Sequence, residues 1–369
     1  MMRIDAIEVR RLSLEMVEPF TTSFGTEATK NVIVVFVTSG DLVGVGECGA
    51  SDAPFYSEET NASVCDILER FIIPATIGRT FSDPWEFTEL FRGIRLNEMA
   101  KSTVETALWD LFAQEDGKSL ASYLGGTKTE IPVGISVGIQ SSLDVLVERV
   151  AHYRNAGYRR IKIKIKPGYD LEPVRSLREA FPDLDLMVDA NSAYRLDDVE
   201  TLMRLDRYDL MMIEQPLEAG DILNHSELAR ELSTPICLDE SIRNLTNLQQ
   251  AHRIGACSIV NLKIARVGGL AEALRIEQYC RDWGIGLWCG GLLETGIGRL
   301  YNIALTALEG FSLPGDTAPS ARYFDRDVLV NPVVFSRPGY LGVPQGVGLG
   351  VDVDRDRIEE ITVSAKVFR

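Results

Sequence analysis

Hydrophobic and polar positions along this chain change period near residue 58 and again near 126. From 3 to 14 they alternate every second residue, 31–38 is β-branched, and Val43-Gly44-Val45-Gly46-Glu47-Cys48 follows a Ser-Gly-Asp turn. Those segments predict antiparallel strands. A loop at 19–26 rich in Pro, Phe, Thr, Ser and Gly interrupts them. From 58 to about 124 the period is helical, with Asp83-Pro84 as a helix start and Gly125-Gly126 as a stop. The pattern predicts an α+β domain over 1–125. Short apolar runs then recur at 131–137, 161–165, 184–188, 210–213, 236–238, 258–262, 285–289 and around 311–314. Amphipathic stretches long enough for a helix and two loops separate the central runs. Strand and helix in alternation predict a parallel sheet wrapped by helices, closing as a (β/α)8 barrel over 126–321. Residues 322–369 are rich in Pro, Gly and Val with no helical period, and are expected to pack back on the first domain.

Five of the barrel runs end on a charged side chain: Lys164, Asp189, Glu214, Asp239 and Lys263, at steps of 25, 25, 25 and 24 residues. In a barrel, residues at the carboxyl ends of several strands converge on one site. Each acid taken singly could be a helix N-cap or a salt-bridge partner. Three in register instead suit Mg²⁺, a hard cation that takes oxygen ligands. Lys162, Lys164 and Lys166 share one face of a strand. Ile161, Ile163 and Ile165 need burial under the helices, which turns the lysines inward; an outward, solvated face is the alternative. An interior amine beside another cation is expected to have a lowered pKa and to serve as a base. The residues alone leave open which two of the three lysines reach the site. Lys263, one strand beyond Asp239, faces the acids from the other side unless it is a surface lysine.

The turn Gly290-Gly291-Leu292-Leu293-Glu294 after the seventh run lets backbone approach a ligand, whether phosphate or carboxylate, or is a structural turn. Only three histidines exist, His152, His225 and His252, and none ends a strand, which argues against a histidine base or ligand. Composition narrows the function further. Lys plus Arg number 38 against 54 Asp plus Glu, a formal net charge of −16. That charge repels nucleic acid and anionic membranes. Six cysteines without CxxC spacing read as buried free thiols in a reducing cytoplasm. No run of eighteen apolar residues occurs.

These residues resemble the enolase superfamily, and within it the o-succinylbenzoate synthase / N-acylamino acid racemase family. The likeness runs almost end to end: Pro19-Phe20-Thr21-Thr22-Ser23-Phe24-Gly25-Thr26, Met99-Ala100-Lys101 with Ala107-Leu108-Trp109-Asp110, Lys162-Ile163-Lys164, Asp189-Ala190-Asn191, Ile213-Glu214-Gln215-Pro216, Leu238-Asp239-Glu240-Ser241, Arg266-Val267-Gly268-Gly269 and Leu313-Pro314-Gly315-Asp316-Thr317. The resemblance implies an enolase-like fold, a modified (β/α)8 TIM barrel under an α+β capping domain whose 19–26 loop is a lid. It implies Mg²⁺, replaceable by Mn²⁺ or another divalent cation, on Asp189, Glu214 and Asp239, and two catalytic lysines, Lys164 and Lys263. Substrate contacts fall to Lys162, Ser136, Asn191, Gly291, Leu292, Phe20 and Phe24, with Glu240 and Arg266 in support. Arg266 matches the arginine of members that also racemise. The implied chemistry is syn dehydration of 2-succinyl-6-hydroxy-2,4-cyclohexadiene-1-carboxylate to o-succinylbenzoate, in menaquinone biosynthesis, with N-acylamino acid racemisation through the same enediolate. A cytoplasmic homo-oligomer acting on a small carboxylate is expected. The rivals are a dipeptide epimerase or a muconate-type cycloisomerase, which share these residues, and a barrel recruited for binding alone, which would show a broken ladder. Where relatives often read Lys-Pro-Gly-Arg, this chain has Lys263-Ile264-Ala265-Arg266, which bears on substrate preference.

Overall fold

The structure is a computed structural model and describes residues 1–22 and 25–369. The cap sheet begins with three antiparallel strands, β1 (Ala6–Thr21), β2 (Thr26–Ser39) and β3 (Leu42–Cys48). Between β2 and β3 Gly40 takes φ 55°, and its N–H donates to the Asp5 carboxylate at 2.8 Å. Side-chain alternation gives β2 two buried faces. Ile33, Val35 and Val37 pack with the buried helix α1 (Glu98–Glu115), while Val32, Val34 and Phe36 join the main core shared with the barrel. Gly44 and Gly46 of β3 let α1 lie against the sheet, since a Cβ on either would overlap the carbonyl of Ala107 or Thr103. The strands run further into the 19–26 loop than expected. Phe20 pairs with Glu27 and Thr21 with Thr26, so strand extends to Thr21 on one side and from Thr26 on the other.

Seven parallel strands follow in chain order within one curved sheet: β4 (Ile135–Val137), β5 (Ile161–Lys164), β6 (Leu186–Asp189), β7 (Ile213–Glu214), β8 (Ile236–Leu238), β9 (Ile259–Leu262) and β10 (Gly286–Cys289). The helices between them are α2 (Leu143–Asn155), α3 (Leu171–Ala180), α4 (Val199–Met203), α5 (Ile222–Glu231), α6 (Leu245–Ile254) and α7 (Leu270–Trp283), and α8 (Gly296–Thr306) follows β10. Ser142, Asp170, Asp221, Asn244 and Thr295 cap α2, α3, α5, α6 and α8 with their side-chain oxygens. Capping by these residues leaves Asp189, Glu214 and Asp239 for other work. Inside the barrel, Met187, Met212, Cys237, Ile259 and Trp288 form a separate apolar cluster, a floor beneath the charged layer.

The expected strand at 311–314 is absent. An irregular segment closes the sheet instead: the Asp316 N–H donates to the Cys289 carbonyl at 2.9 Å, and the Gly134 N–H to the Gly315 carbonyl at 2.7 Å. Pro314 has no N–H to give a ladder. The fully buried Arg160 guanidinium supplies the link, donating to Pro314 O at 2.8 Å and Asp316 Oδ1 at 2.7 Å. The C-terminal segment also departs from expectation, because it holds a helix, α9 (Arg355–Ile361). Two turns with one buried residue, Ile358, are too short to leave a periodic signal. Strand β11 (Thr362–Phe368) then pairs antiparallel with β1.

Candidate active site

Strand register explains why rungs spaced by twenty-five residues meet. Lys164 stands opposite Asp189, and Asp189 opposite Glu214, in one row across β5, β6 and β7. The row then climbs. Glu214 is opposite Cys237, two residues before Asp239, and Leu238 is opposite Val260, which sets Asp239 beside Asn261, two before Lys263. Steps of two keep side chains on the same face, so the stagger carries all five rungs inward while lifting Lys263 toward the cap.

Charges are dense there. Lys164 Nζ lies 2.6 Å from Asp189 Oδ2 and donates to Asn191 Oδ1 at 2.7 Å. Lys162 Nζ lies 2.9 Å from Glu214 Oε2, 2.7 Å from Asp316 Oδ2 and 3.4 Å from Asp189 Oδ2, above the Trp288 ring at 4.7 Å. Lys263 Nζ is 3.0 Å from Asp239 Oδ2, and Arg266 Nη1 is 2.5 Å from Asp239 Oδ1. Glu240 accepts from the Asn191 amide at 3.1 Å. All three rung carboxylates are buried.

The field splits these acids. Burial and the neighbouring Asp189 push Glu214 up to about 8. Burial acts the same way on Glu240, with Asp239 and Asp189 adding, and raises it to about 7. Asp189 is also buried, but Lys164 and Lys162 outweigh the burial and hold it below the ordinary carboxylate range. Arg266 and Lys263 do the same to Asp239. The expectation of a lowered lysine pKa fails at Lys162. Burial lowers it, yet Asp316, Glu214 and Asp189 together raise it well above the ordinary value, because the carboxylates around it outnumber the cations. Lys162 is therefore a fixed cation.

A cavity of about 390 Å³ lies between cap and barrel over this layer. Lys162, Lys164, Lys263, Ser136 and Asn191 line it from the barrel, Gly291 and Leu292 from the loop after β10, and Phe20 from β1 of the cap. Asp189, Glu214, Asp239, Glu240 and Arg266 sit behind that lining. Phe24 lies outside the described residues. Lys166 is exposed past the end of β5 and stays out of the site. His225 is buried in α5, where its Nε2 accepts from the Leu217 N–H.

Sequence reading missed four groups. Asn261 donates to Glu214 Oε1 at 2.6 Å, and its inward parity between Ile259 and Lys263 was a usable signal. Asp316 anchors both Lys162 and Arg160, and no period marks its irregular segment. Tyr56, from the cap, receives hydrogen bonds at its hydroxyl from Lys263 at 2.5 Å and Arg266 at 2.8 Å, with the Lys263 ammonium 4.5 Å from the centre of its ring. Lys30, also from the cap, lines the cavity. No local motif marks either of these last two.

The donor chemistry fits a divalent cation. Three carboxylates of adjacent strands crowd closely enough that Asp189 and Asp239 both raise Glu214, and Glu240 Oε2 beside them is a buried oxygen without a hydrogen-bond donor. Among the described residues no three acidic, histidine or cysteine side chains already form a ligand cage. The facing oxygens are paired with the ammoniums of Lys162, Lys164 and Lys263.

Two family models match the chain. "Mandelate racemase / muconate lactonizing enzyme, N-terminal domain" covers residues 6–125, and "Enolase C-terminal domain-like" covers 145–357. The chain is 50% identical over 366 residues to the o-succinylbenzoate synthase of Geobacillus kaustophilus, covering 99% of this chain and 97% of that protein. It is 42% identical over 368 residues to the N-succinylamino acid racemase of Amycolatopsis, covering 100% and 99%. The crystal structure of an enolase superfamily member from Listeria innocua superposes with a TM-score of 0.97 at 41% identity, covering 100% of this chain and 99% of that one. A strand-built cap over a curved parallel sheet, an unbroken ladder of acids and lysines, and likeness across the full length give one result: the chain belongs to the enolase superfamily of enzymes.

Proposed function

We propose that this enzyme is an o-succinylbenzoate synthase that also racemises N-succinyl and other N-acylamino acids. The observation that carries the reading is that Lys164 and Lys263 reach one cavity from strands β5 and β9, with the three acid-bearing strands between them. Identities of 50% and 42% to a synthase and a racemase support both halves of it.

Removing a proton α to a carboxylate leaves a dianion that water stabilises poorly, so fixed positive charge must meet it where it forms. Asp189, Glu214 and Asp239 would hold Mg²⁺, or Mn²⁺ in its place, and that charge would offset the developing dianion. Lys162, held charged by its carboxylate neighbours, adds a second fixed cation facing the cavity. Lys164 in its neutral form takes the α-proton, its Nζ kept in place by Asp189 and Asn191. In the dehydration it returns that proton to the departing hydroxyl on the same face. One C–H and one C–O bond break, water leaves and the ring becomes aromatic. Lys263 remains an ammonium, positioned by Asp239 and Tyr56. In racemisation the two lysines exchange roles, one removing the proton and the other delivering one to the opposite face. On this reading the enzyme works in the cytoplasm, within menaquinone biosynthesis.

Purified protein assayed side by side on the cyclohexadiene substrate, N-succinyl and N-acetyl amino acids, and dipeptides tests the reading. Dehydration together with racemisation is expected. Strong dipeptide epimerisation with neither reaction would transfer the assignment to that activity.

A further inference from the structure

The barrel-facing side of the cap sheet carries its charged residues Glu8, Arg10 and Glu47 level with Phe36 and Val34, and is apolar around Lys30 at the other end. Leu12 and Leu14 of β1 stand opposite Val32 and Lys30 of β2, and Leu12, Leu14, Val32, Val34 and Phe36 all join the main core. Lys30 shares their face and is only 3% exposed. Burying an ammonium among aliphatic side chains is costly unless an anion answers it. Among the described residues the one acid within 4.0 Å of its ammonium is Glu27, whose Oε2 stands at that distance, beyond hydrogen-bond reach, while Asp52 is a further acid in its field. The Glu27 carboxylate is engaged elsewhere, with Oε1 accepting from Ser51 Oγ at 2.9 Å, and its side chain is 37% exposed. Lys30 lines the same cavity as the catalytic lysines but enters it from the cap, whereas Lys162, Lys164 and Lys263 come from the barrel.

We infer that Lys30 binds a second carboxylate of the substrate, the one at the end of its succinyl chain, and so makes this cavity selective for doubly anionic ligands. The inference rests on the function proposed above, whose dehydration substrate and N-succinyl amino acids each carry one carboxylate at the reacting centre and another on the succinyl arm. The apolar row around Lys30 excludes water, which strengthens such a pair, and the loose Glu27 contact leaves the ammonium able to turn toward a ligand. Phe20 and Phe55, which also line the cavity, offer apolar surface for the methylenes of the arm.

The test compares Lys30→Met and Lys30→Arg with the wild type, each with Mg²⁺. For N-succinylphenylalanine against N-acetylphenylalanine, the ratio of kcat/KM should fall about 10- to 100-fold in Lys30→Met, the range of a lost charge-assisted hydrogen bond, mainly through KM. Lys30→Arg should restore part of it. By titration calorimetry, o-succinylbenzoate should weaken by a similar factor in Lys30→Met while benzoate does not move. Equal losses on both amino acid substrates, or an unmoved ratio, would overturn the assignment. If the wild type turns over neither substrate, the proposed function fails and the calorimetry decides for Lys30. A selective loss of o-succinylbenzoate binding keeps it, and a wild type that binds neither ligand removes both proposals.

Discussion

Glu47 joins the cap to the loop after β10, and its removal gives a graded prediction. It is the penultimate residue of β3, before Cys48, and is buried. Its Oε1 accepts from the Thr295 N–H at 2.9 Å, and its Oε2 from the Thr295 hydroxyl at 2.5 Å and the Gly298 N–H at 2.9 Å. Thr295 caps α8 and follows the turn whose Gly291 and Leu292 line the cavity. Glu47→Ala strands the buried Thr295 N–H and the half-buried Gly298 N–H, at about 1–3 kcal/mol for a fully buried group, so a loss of about 2–4 kcal/mol is expected from a total of about 5–15. Glu47→Gln keeps one acceptor oxygen but turns an amide N–H toward a donor, and should cost about 1–2 kcal/mol at low pH. Burial pushes Glu47 up to about 7 against its three hydrogen bonds. A carboxyl raised on folding favours its neutral form, so its contribution is full below the unfolded value of about 4.5 and is lost as pH rises through about 7. The advantage of wild type over Glu47→Gln should therefore shrink by about 1–3 kcal/mol between pH 5 and pH 8, and the order of the two can reverse. Urea unfolding followed by far-UV circular dichroism at both pH values measures all three proteins. A Glu47→Ala cost under about 1 kcal/mol, or a wild type to Glu47→Gln gap that does not move with pH, would refute the reasoning.

Lys164→Ala and Lys263→Ala should each abolish racemisation of an N-acylamino acid, and in D₂O each should retain α-proton exchange only for the enantiomer whose proton faces the remaining lysine; normal racemisation by either mutant contradicts the two-base assignment. Glu214→Gln should stay folded by circular dichroism yet lose activity, and wild type should lose activity on exhaustive chelation and regain it with Mg²⁺, whereas full activity after chelation rules out the metal. Gly290→Ala removes no catalytic group, but its Cβ would overlap the Asn261 amide oxygen and come within 2.7 Å of Lys263 Cε. Displacing that amine by about 1 Å should cost about 100-fold in racemisation kcat, read by polarimetry beside an unchanged far-UV spectrum.

Periodicity by itself determined the strand-built cap, the repeated strand–helix alternation and the inward turn of Lys162 and Lys164, because isoleucines that need burial leave alternate residues one direction only. The ladder of Lys164, Asp189, Glu214, Asp239 and Lys263 was legible for the same reason: each repeat returns the chain to the same end of the sheet. What the tertiary structure decided is everything that depends on stagger and on non-repeating chain. Register lifted Asp239 and Lys263 above the row of Lys164, Asp189 and Glu214, a shift that residue counts alone do not carry. Closure fell to Arg160 and the irregular segment at Asp316, not to an eighth strand, since a proline without an N–H cannot extend a ladder. Lys162 became a fixed cation only because Asp316, Glu214 and Asp189 surround it in space. Tyr56 and Lys30 entered the site from the cap, 207 residues before Lys263 in one case, and no local pattern can announce a contact made across that distance.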